Sequence, residues 1–312
     1  LWACTTCGSC EQECPVYIEN IPRIIQMRQY KTLMEGDISP ELARAFKGME
    51  NNSNPWGLGS DKRDAWAEGL DIPRMADVAN RDGETPLLYW VGCAGSFDDR
   101  SKKITLSMVK ILRAANIDFA ILGKEEGCTG DSARRAGNEY LFTEMAMQNI
   151  ELLNGYNVKN IITHCPHCMH TLKEDYPQLD GKYNVVHHAQ FINDLIKEGK
   201  LKLNKSIDKK VVLHDSCYLG RYQDIYDEPR EVLNDIAGTT LVETGRNRFR
   251  SVRCGAGGAR LWMEEDIGDR INVPKAKELK ECNADVISTA ITFCLTIIKD
   301  VLGDIDEENV ET

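Results

Sequence analysis

The stretch Leu87-Leu-Tyr-Trp-Val-Gly-Cys93 decides the fold, because it places a cysteine directly after a short apolar run. A run of this length predicts a strand buried on both faces. Apolar residues then recur at helical spacing over 101–115, and a long helix is predicted over 132–153. Further short apolar runs lie at 119–122, 160–163, 185–187, 211–213, 240–242 and 285–288. Short strands that alternate with helices predict parallel α/β sheets.

The cysteine pattern of this region occurs twice. Val211-Val-Leu-His-Asp-Ser-Cys217 again places a cysteine shortly after an apolar run. Three pairs of cysteines keep nearly one register, with offsets of 124, 126 and 126 residues: Cys93 and Cys217, Cys128 and Cys254, Cys168 and Cys294. The sequence therefore indicates an internal duplication, with a first repeat over 87–205 and a second repeat over 206–303.

Each repeat carries a candidate metal-binding set. The first consists of Cys93, Cys128, Cys165 and Cys168, and the second of Cys217, Cys254 and Cys294. Parallel sheets bind ligands at the carboxyl ends of their strands, and these cysteines follow the predicted strands there. Four thiolates can hold either a cubane iron–sulfur cluster or a zinc ion, so the residues alone leave both open.

A glycine-rich loop follows Cys254. Its glycines, Gly255, Gly257 and Gly258, are predicted to let the backbone approach a bulky cofactor closely. The loop is not a dinucleotide-binding fingerprint, because Arg260 stands where the third glycine of that motif would be.

Near the start of the sequence, Cys4, Cys7, Cys10 and Cys14-Pro15 have the spacing of a bacterial ferredoxin motif. In two-cluster ferredoxins the fourth cysteine of such a run binds the other cluster, so Cys14 predicts a sister motif. No such motif follows in the sequence, and we expect it upstream of residue 1. Zinc is less consistent with this run, since structural zinc sites usually combine two separated Cys-x-x-Cys pairs.

Composition excludes some other functions. The net charge of −11 gives no electrostatic support to nucleic-acid binding, so we expect no nucleic-acid partner. The longest apolar stretch is too short to span a bilayer, and no signal peptide is visible. Twelve cysteines, several of them two residues apart, favour metal binding in a reducing compartment over disulfides.

The predicted fold class is α+β overall. Residues 1–86 are expected to form a small, mostly helical ferredoxin-type domain with a linker, followed by the two α/β repeats at 87–205 and 206–303. Residues 304–312 are predicted to be a solvated, disordered acidic tail.

The motifs together resemble the cysteine-rich (CCG) domain family, which includes heterodisulfide reductase subunits and the iron–sulfur subunits of glycolate and lactate oxidases. The similar segments are Trp2-Ala-Cys-Thr-Thr-Cys7, Asn54-Pro-Trp-Gly-Leu58, Trp90-Val-Gly-Cys-Ala-Gly95, Cys128-Thr-Gly-Asp131, Gly137-Asn-Glu-Tyr-Leu-Phe142, Cys165-Pro-His-Cys168 and Gly255-Ala-Gly-Gly-Ala-Arg260. The resemblance extends to membrane-associated oxidoreductases that pass electrons from electron transfer flavoprotein to a quinone. It implies 4Fe–4S clusters, a membrane part outside this chain, and a location at the cytoplasmic side of the cell membrane.

The chain departs from the five-cysteine set of a full family repeat. Gly127 takes the place of one cysteine in the first repeat, and Arg253 and Ile291 take the places of two in the second. The noncubane clusters of heterodisulfide reductase are therefore not expected. For the second repeat three possibilities stay open: a cubane cluster with one non-cysteine ligand, a cluster with an iron that has an open coordination position, or no cluster. Cys282 lies outside the repeat pattern and is interpreted as a packed core residue.

The histidines near these cysteines are open to more than one role. His164, His167 and His170 flank a site that already has four thiolates, which favours supporting roles over ligation. His214 and Asp215 precede Cys217 and could hydrogen-bond around the second site, move protons or be structural.

The cysteine motifs predict an iron–sulfur electron relay, and the resemblance implies that it runs from a flavoprotein, electron transfer flavoprotein, toward a membrane quinone. Two rivals stay open at this point: a heterodisulfide reductase-like or hydroxyacid oxidase subunit, and a zinc scaffold without redox activity.

Overall fold

Seven short strands form at the apolar runs of the sequence, and helices form between them. The computed structural model describes residues 1–78, 85–265, 268, 270–304 and 311. Its strands are β1 (Leu87–Trp90), β2 (Phe119–Ala120), β3 (Asn160–Thr163), β4 (Asn184–His187), β5 (Lys209–His214), β6 (Thr239–Val242) and β7 (Val286–Thr289). Each predicted strand is found, to within about two residues at either end.

The helices cover the N-terminal part and the connections between strands. They are α1 (Ser9–Gln12), α2 (Ile21–Gln29), α3 (Pro40–Asn52), α4 (Met75–Val78), α5 (Gly92–Phe97), α6 (Asp99–Ala114), α7 (Asp131–Arg135), α8 (Glu139–Gly155), α9 (Pro166–His170), α10 (His188–Lys197), α11 (Gly220–Gln223), α12 (Asp227–Asp235), α13 (Asn272–Lys280) and α14 (Thr292–Asp304). Two π-helical turns continue α2 and α9, over Tyr30–Glu35 and Thr171–Asp175. Short 3₁₀ turns lie at Ser60–Lys62, Ala65–Ala67, Gly123–Glu125, Tyr176–Leu179, Arg248–Arg250 and Arg260–Trp262.

The strands form two parallel sheets with the same core order. The first is ordered β2-β1-β3-β4 and the second β6-β5-β7. All pairings are parallel, as predicted, and helices make the crossovers. The order β2-β1-β3 is repeated as β6-β5-β7, which is what a duplication predicts.

A single bridge occupies the place of a fourth strand in the second sheet. Glu311 pairs in parallel with Val286 of β7, at the position that β4 holds beside β3. Its backbone hydrogen-bonds Ile287 and Asp285, and its carboxylate pairs with Lys209. Glu311 is therefore ordered, contrary to the predicted disordered tail; residues 305–310 and 312 of that tail lie outside the described residues.

The predicted long helix over 132–153 is wrong, because it is two helices, α7 and α8. The break falls at Gly137, whose φ is +81°. A Cβ there would lie 2.4 Å from the backbone carbon of Arg28, so the chain turns where α2 crosses it. Asn138 then caps α8 by accepting a hydrogen bond from the backbone of Leu141.

The N-terminal part is mostly helical, as predicted, but α2 does not bury a simple apolar stripe. Ile21 is buried, whereas Leu33, one predicted member of that stripe, is exposed. The fully buried side chain of the segment is the cation Arg28. Residues of the predicted linker pack on the first repeat, where Arg74 bridges to Ile121 beyond β2.

The helices of the described segments include none that is long and apolar enough to cross a membrane.

Candidate metal centres

The four cysteines of the first repeat line one cavity. Cys93 lies in α5 just beyond β1, Cys128 in the loop before α7, and Cys165 and Cys168 at the start of α9. Cys93, Cys165 and Cys168 are buried and Cys128 is partly buried. The predicted convergence at the carboxyl end of the sheet is therefore found. Phe293 of the second repeat closes one side of the cavity.

A buried arginine lies beside these sulfurs. Arg63 Nη2 is 3.4 Å from Cys93 Sγ, and Arg63 Nη1 is 3.1 Å from Glu126 Oε1. The two side chains of this ion pair are each 2% exposed. A hydrogen bond from Cys128 and, against the effect of burial, the charge of Arg63 lower the pKa of Cys93 to about 6. The site thus favours a thiolate at Cys93, the form that binds metal.

Glu126 fixes the backbone that carries the first of these cysteines. Its carboxylate accepts hydrogen bonds from the amides of Val91 and Gly92 at 3.0 and 2.8 Å. Burial raises its pKa to about 7, although Arg63 opposes that change. Neither Arg63 nor Glu126 was predicted, because nothing in their local sequence marks them.

The histidines around Cys165 and Cys168 are engaged by other groups. His167 Nδ1 lies 3.0 Å from Asp131 Oδ2, and His164 Nδ1 lies 2.8 Å from the hydroxyl of Tyr89. Burial raises the pKa of Asp131, but His167 and then Arg135 outweigh it and hold the pKa at about 2. These contacts favour a supporting role for the two histidines.

The second repeat brings together two cysteines and a histidine. The sulfurs of Cys254 and Cys294 are 2.9 Å apart. The ligand atoms of these two residues and of His214 all lie within 4.8 Å of one another, and all three residues are buried. The hydrogen bond from Cys294 lowers the pKa of Cys254 well below its usual value. Sequence reasoning noted His214 but did not assign it to the site.

Cys217 lies between the second repeat and the ferredoxin motif. It is partly buried, and burial raises the pKa of its thiol. The nearby charges of Cys254 and Cys7 raise that pKa further. Cys217 therefore borders both cysteine sets, which the sequence treated as separate.

The ferredoxin motif packs directly on the glycine-rich loop of the second repeat. A Cβ at Gly257 would lie 2.5 Å from the carbonyl oxygen of Thr5, and one at Gly258 2.6 Å from that of Cys4. These two glycines therefore admit the backbone of the motif, where the sequence analysis expected a cofactor. Gly255 has a φ of +102°, and the atoms nearest to a Cβ added there belong to Asn272 and Ile271, at 3.6–3.9 Å.

Within the ferredoxin motif, the four cysteines differ in exposure. Cys7 is buried against the second repeat, Cys4 and Cys14 are partly buried, and Cys10 is exposed. Backbone amides approach two sulfurs at 3.4 Å, from Thr6 to Cys4 and from Ile18 to Cys14. Hydrogen bonds of this kind lower the pKa of Cys14, that of Ile18 contributing most.

Arg28 ties the motif to both repeats. Its guanidinium donates hydrogen bonds at 2.6–3.3 Å to five backbone carbonyls, those of Leu1, Trp2, Cys4, Arg135 and Gly258. Burial lowers the pKa of Arg28, and the charge of Cys4 opposes that change. An arginine with five carbonyl partners orders three distant segments at once.

Tyr218 is the residue at which all three cysteine sets meet. It follows Cys217, and its hydroxyl lies 2.7 Å from Thr6 Oγ1, between Cys4 and Cys7. Its ring stacks on that of His167, between Cys165 and Cys168, with a centroid distance of 3.9 Å.

The donor chemistry fits iron–sulfur clusters. Clusters are held by cysteine thiolates, with hydrogen bonds and burial around the sulfurs. The first repeat offers four converging thiols beside a buried arginine, and the ferredoxin motif offers four more at ferredoxin spacing. Cys282 belongs to neither set. Its sulfur lies 3.7 Å from the carbonyls of Glu243 and Glu278, at the edge of the apolar core of the second repeat.

Two parallel sheets of one topology, each followed by cysteines at its carboxyl edge, define a duplicated cysteine-rich protein. The model of the CCG cysteine-rich domain family matches residues 87–173 and 211–299. The chain belongs to this family, as the resemblance predicted, and the two matches confirm the duplication.

Three curated relatives align with almost the whole chain. The "Probable iron-sulfur-binding oxidoreductase FadF" of Bacillus subtilis is 42% identical over 96% of this chain and 43% of its own length. The "EtfAB:quinone oxidoreductase" of Syntrophomonas wolfei is also 42% identical, over 96% of this chain and 43% of its own length. The "Probable membrane-anchored ferredoxin" of Chromohalobacter salexigens is 38% identical over 97% of this chain and 45% of its own length. The chain thus spans less than half the length of these relatives.

Proposed function

We propose that this chain is an iron–sulfur oxidoreductase unit that relays electrons from an electron transfer flavoprotein toward a membrane quinone. The observation that carries the relay is the packing of three cysteine sets around Tyr218. Electron transfer between cofactors needs short separations, and a shared buried junction supplies one. The names of the relatives, which include a flavoprotein:quinone oxidoreductase and iron–sulfur proteins, support the choice of partners.

The proposed cofactors are 4Fe–4S clusters, which supply one-electron chemistry when bound. Cys4, Cys7 and Cys10 would hold one cluster, and Cys14 would bind a second whose other ligands lie outside this chain. Cys93, Cys128, Cys165 and Cys168 would hold the cluster of the first repeat. Cys217, Cys254 and Cys294 would hold a modified one in the second.

The residues around these cysteines would tune and protect the sites. Arg63 places a buried positive charge on Cys93, which stabilises the reduced form of a nearby centre. Phe293 and the surrounding apolar core exclude water from the first-repeat cavity. Neither task requires bond-making chemistry from the protein.

The proposed location is the cytoplasmic side of the cell membrane, reached through a membrane part or subunit outside this chain. The membrane-anchored relative supports an association with the membrane. The net charge of −11 argues against direct binding to an anionic lipid surface, so we assign the membrane contact to that other part.

Anaerobic reduction tests the relay. Chain reconstituted with iron and sulfide would be mixed with reduced electron transfer flavoprotein, and the visible absorbance followed by stopped flow. We expect rapid bleaching of the cluster absorbance, then its recovery when a water-soluble quinone and the membrane part are added. Absence of bleaching by the flavoprotein, with normal bleaching by dithionite, would contradict the proposed partner.

Metal analysis tests the zinc scaffold. We expect iron and acid-labile sulfide in equal amounts in anaerobically prepared protein. Zinc without iron or sulfide would overturn the relay altogether.

A further inference from the structure

The second repeat has a buried histidine aimed at its cysteines. His214 is 1% exposed and ends β5, so its backbone is fixed by the centre of the sheet. Its nearest ring nitrogen and the sulfurs of Cys254 and Cys294 lie within 4.8 Å of one another. A third residue therefore shares the site with the two thiols.

Neither ring nitrogen of His214 has a hydrogen-bond partner of ordinary geometry in the part of the chain that the structure describes, and the polar group that the ring faces is the thiol of Cys254. Burying a polar group without a partner costs about 1–3 kcal/mol. By contrast, His164 and His167 each engage a neighbour through one ring nitrogen. A metal centre held by Cys254 and Cys294 would give the imidazole of His214 the partner that it lacks.

By internal alignment, His214 corresponds to Trp90 and compensates for a cysteine that the second repeat lacks elsewhere. In the first repeat β1 ends at Trp90, three residues before Cys93, and in the second β5 ends at His214, three residues before Cys217. The second repeat has Ile291 where the first has Cys165, and Ile291 is buried in the core. With His214 counted, each repeat supplies four ligands of the kinds that iron–sulfur clusters accept.

The neighbouring residue holds this strand end in place. Asp215 accepts hydrogen bonds from Arg230 Nη1 and Nη2 at 2.7 and 2.8 Å, and from the amide of Arg248 at 2.7 Å. These contacts pin the backbone that follows His214, so its side chain is preorganised toward Cys254 and Cys294.

We propose that His214 is a ligand of the iron–sulfur cluster of the second repeat, together with Cys217, Cys254 and Cys294. This inference rests on the proposed function, which requires a cluster in that repeat. A neutral imidazole in place of a thiolate raises the potential of a cluster, as histidine ligation does in Rieske centres. Ligation by His214 therefore makes the cluster of the second repeat more easily reduced than the same cluster with a thiolate in that place.

Nitrogen coupling measures the ligation directly. The full chain would be prepared with ¹⁵N-histidine, reconstituted anaerobically, reduced, and studied by pulsed electron paramagnetic resonance. We expect a strongly coupled ¹⁵N nucleus in the wild type. The matched control His188→Ala should keep this coupling, because the Nδ1 of His188 is engaged by His187 Nε2 at 3.1 Å. The coupling should disappear in His214→Cys, which should keep its iron and show a lower potential for one cluster.

One further variant keeps the test decisive. If His214→Cys does not fold, His214→Ala would be titrated with ¹⁵N-imidazole, which should restore the coupling. No strong coupling in an iron-replete wild type, or a coupling that survives in His214→Cys, would overturn the ligation and leave the relay intact. A wild type with zinc and no iron would instead overturn the relay itself.

Discussion

The two repeats share a sheet order but hold their ligands in different surroundings. The first gathers four cysteines in a cavity that Asp131 helps to line, with the buried pair Arg63 and Glu126 beside Cys93. In the second, Cys254 and Cys294 lie beside His214, and Cys217 faces the ferredoxin motif. The residues at the two cysteine sites differ while the strand order does not, so one scaffold carries two different side-chain sets.

The buried arginines of the two repeats also differ in the groups that they contact. In the first repeat an arginine reaches a sulfur directly, at 3.4 Å. A buried arginine of the second repeat, Arg230, pairs with Asp215 and Glu243 instead. A buried cation therefore acts on the centre of one repeat and on the backbone of the other.

Removing a ligand of the first repeat should have the largest effect. Cys165→Ser leaves the first repeat with three cysteine thiols and without a histidine ligand. We therefore expect it to lose its cluster, which lowers the iron and sulfide content by one cluster per chain. Anaerobic iron and sulfide analysis measures this. The matched variant Cys282→Ser should keep the wild-type content, and an unchanged content in Cys165→Ser would remove that residue from the ligand set.

Loss of the buried arginine of the first repeat should come next. Arg63→Met leaves Glu126 buried without its partner, which should lower the free energy of unfolding by about 3–5 kcal/mol. Anaerobic urea unfolding followed by circular dichroism measures this, and redox titration should show a lower potential for one cluster.

Arg230→Met provides the comparison for that variant. It should destabilise the protein as well, since Arg230 is buried to a similar degree. It should leave the potential of the first cluster unchanged, because Arg230 contacts no sulfur among the described residues. Equal redox shifts in both variants would contradict the division of roles between the two arginines.

Disturbing the contact between the ferredoxin motif and the second repeat should have a smaller effect. Gly258 has a φ of +63°, and a Cβ there would lie 2.6 Å from the carbonyl of Cys4. Gly258→Ala should therefore cost about 1–3 kcal/mol of stability. It should also expose the motif to proteolysis, which digestion followed by mass spectrometry detects. Gly155→Ala, with nothing within 4 Å of the new methyl, should match or exceed wild-type stability.

The smallest effect should come from the hydroxyl at the junction. Tyr218→Phe removes the hydrogen bond to Thr6 and keeps the ring on His167, so we expect a loss of about 1 kcal/mol. Chemical unfolding measures that loss. The rate of electron transfer between the repeats should stay unchanged, and a large fall in that rate would assign the hydroxyl a role beyond packing.

The sequence was sufficient for what is local or repeated. Apolar runs predicted the strands, and cysteine offsets predicted the duplication and the first-repeat set. The break at Gly137 was missed because it depends on the crossing of α2, more than 100 residues away in sequence. Arg63 and Glu126 were missed for the same reason, since only folding brings them to Cys93. The domain limits and the metal ligation itself stay predictions.

The contacts of Arg28 have a consequence for the order in which the protein matures. Its partner Gly258 lies 230 residues further along the chain. The ribosome must therefore synthesise most of the second repeat before the ferredoxin motif can pack in its final position. Until then Cys4 and Thr5 lack the glycine-rich loop that packs against their carbonyls. The contact that completes the carbonyl set of Arg28 is thus among the last that the growing chain can form.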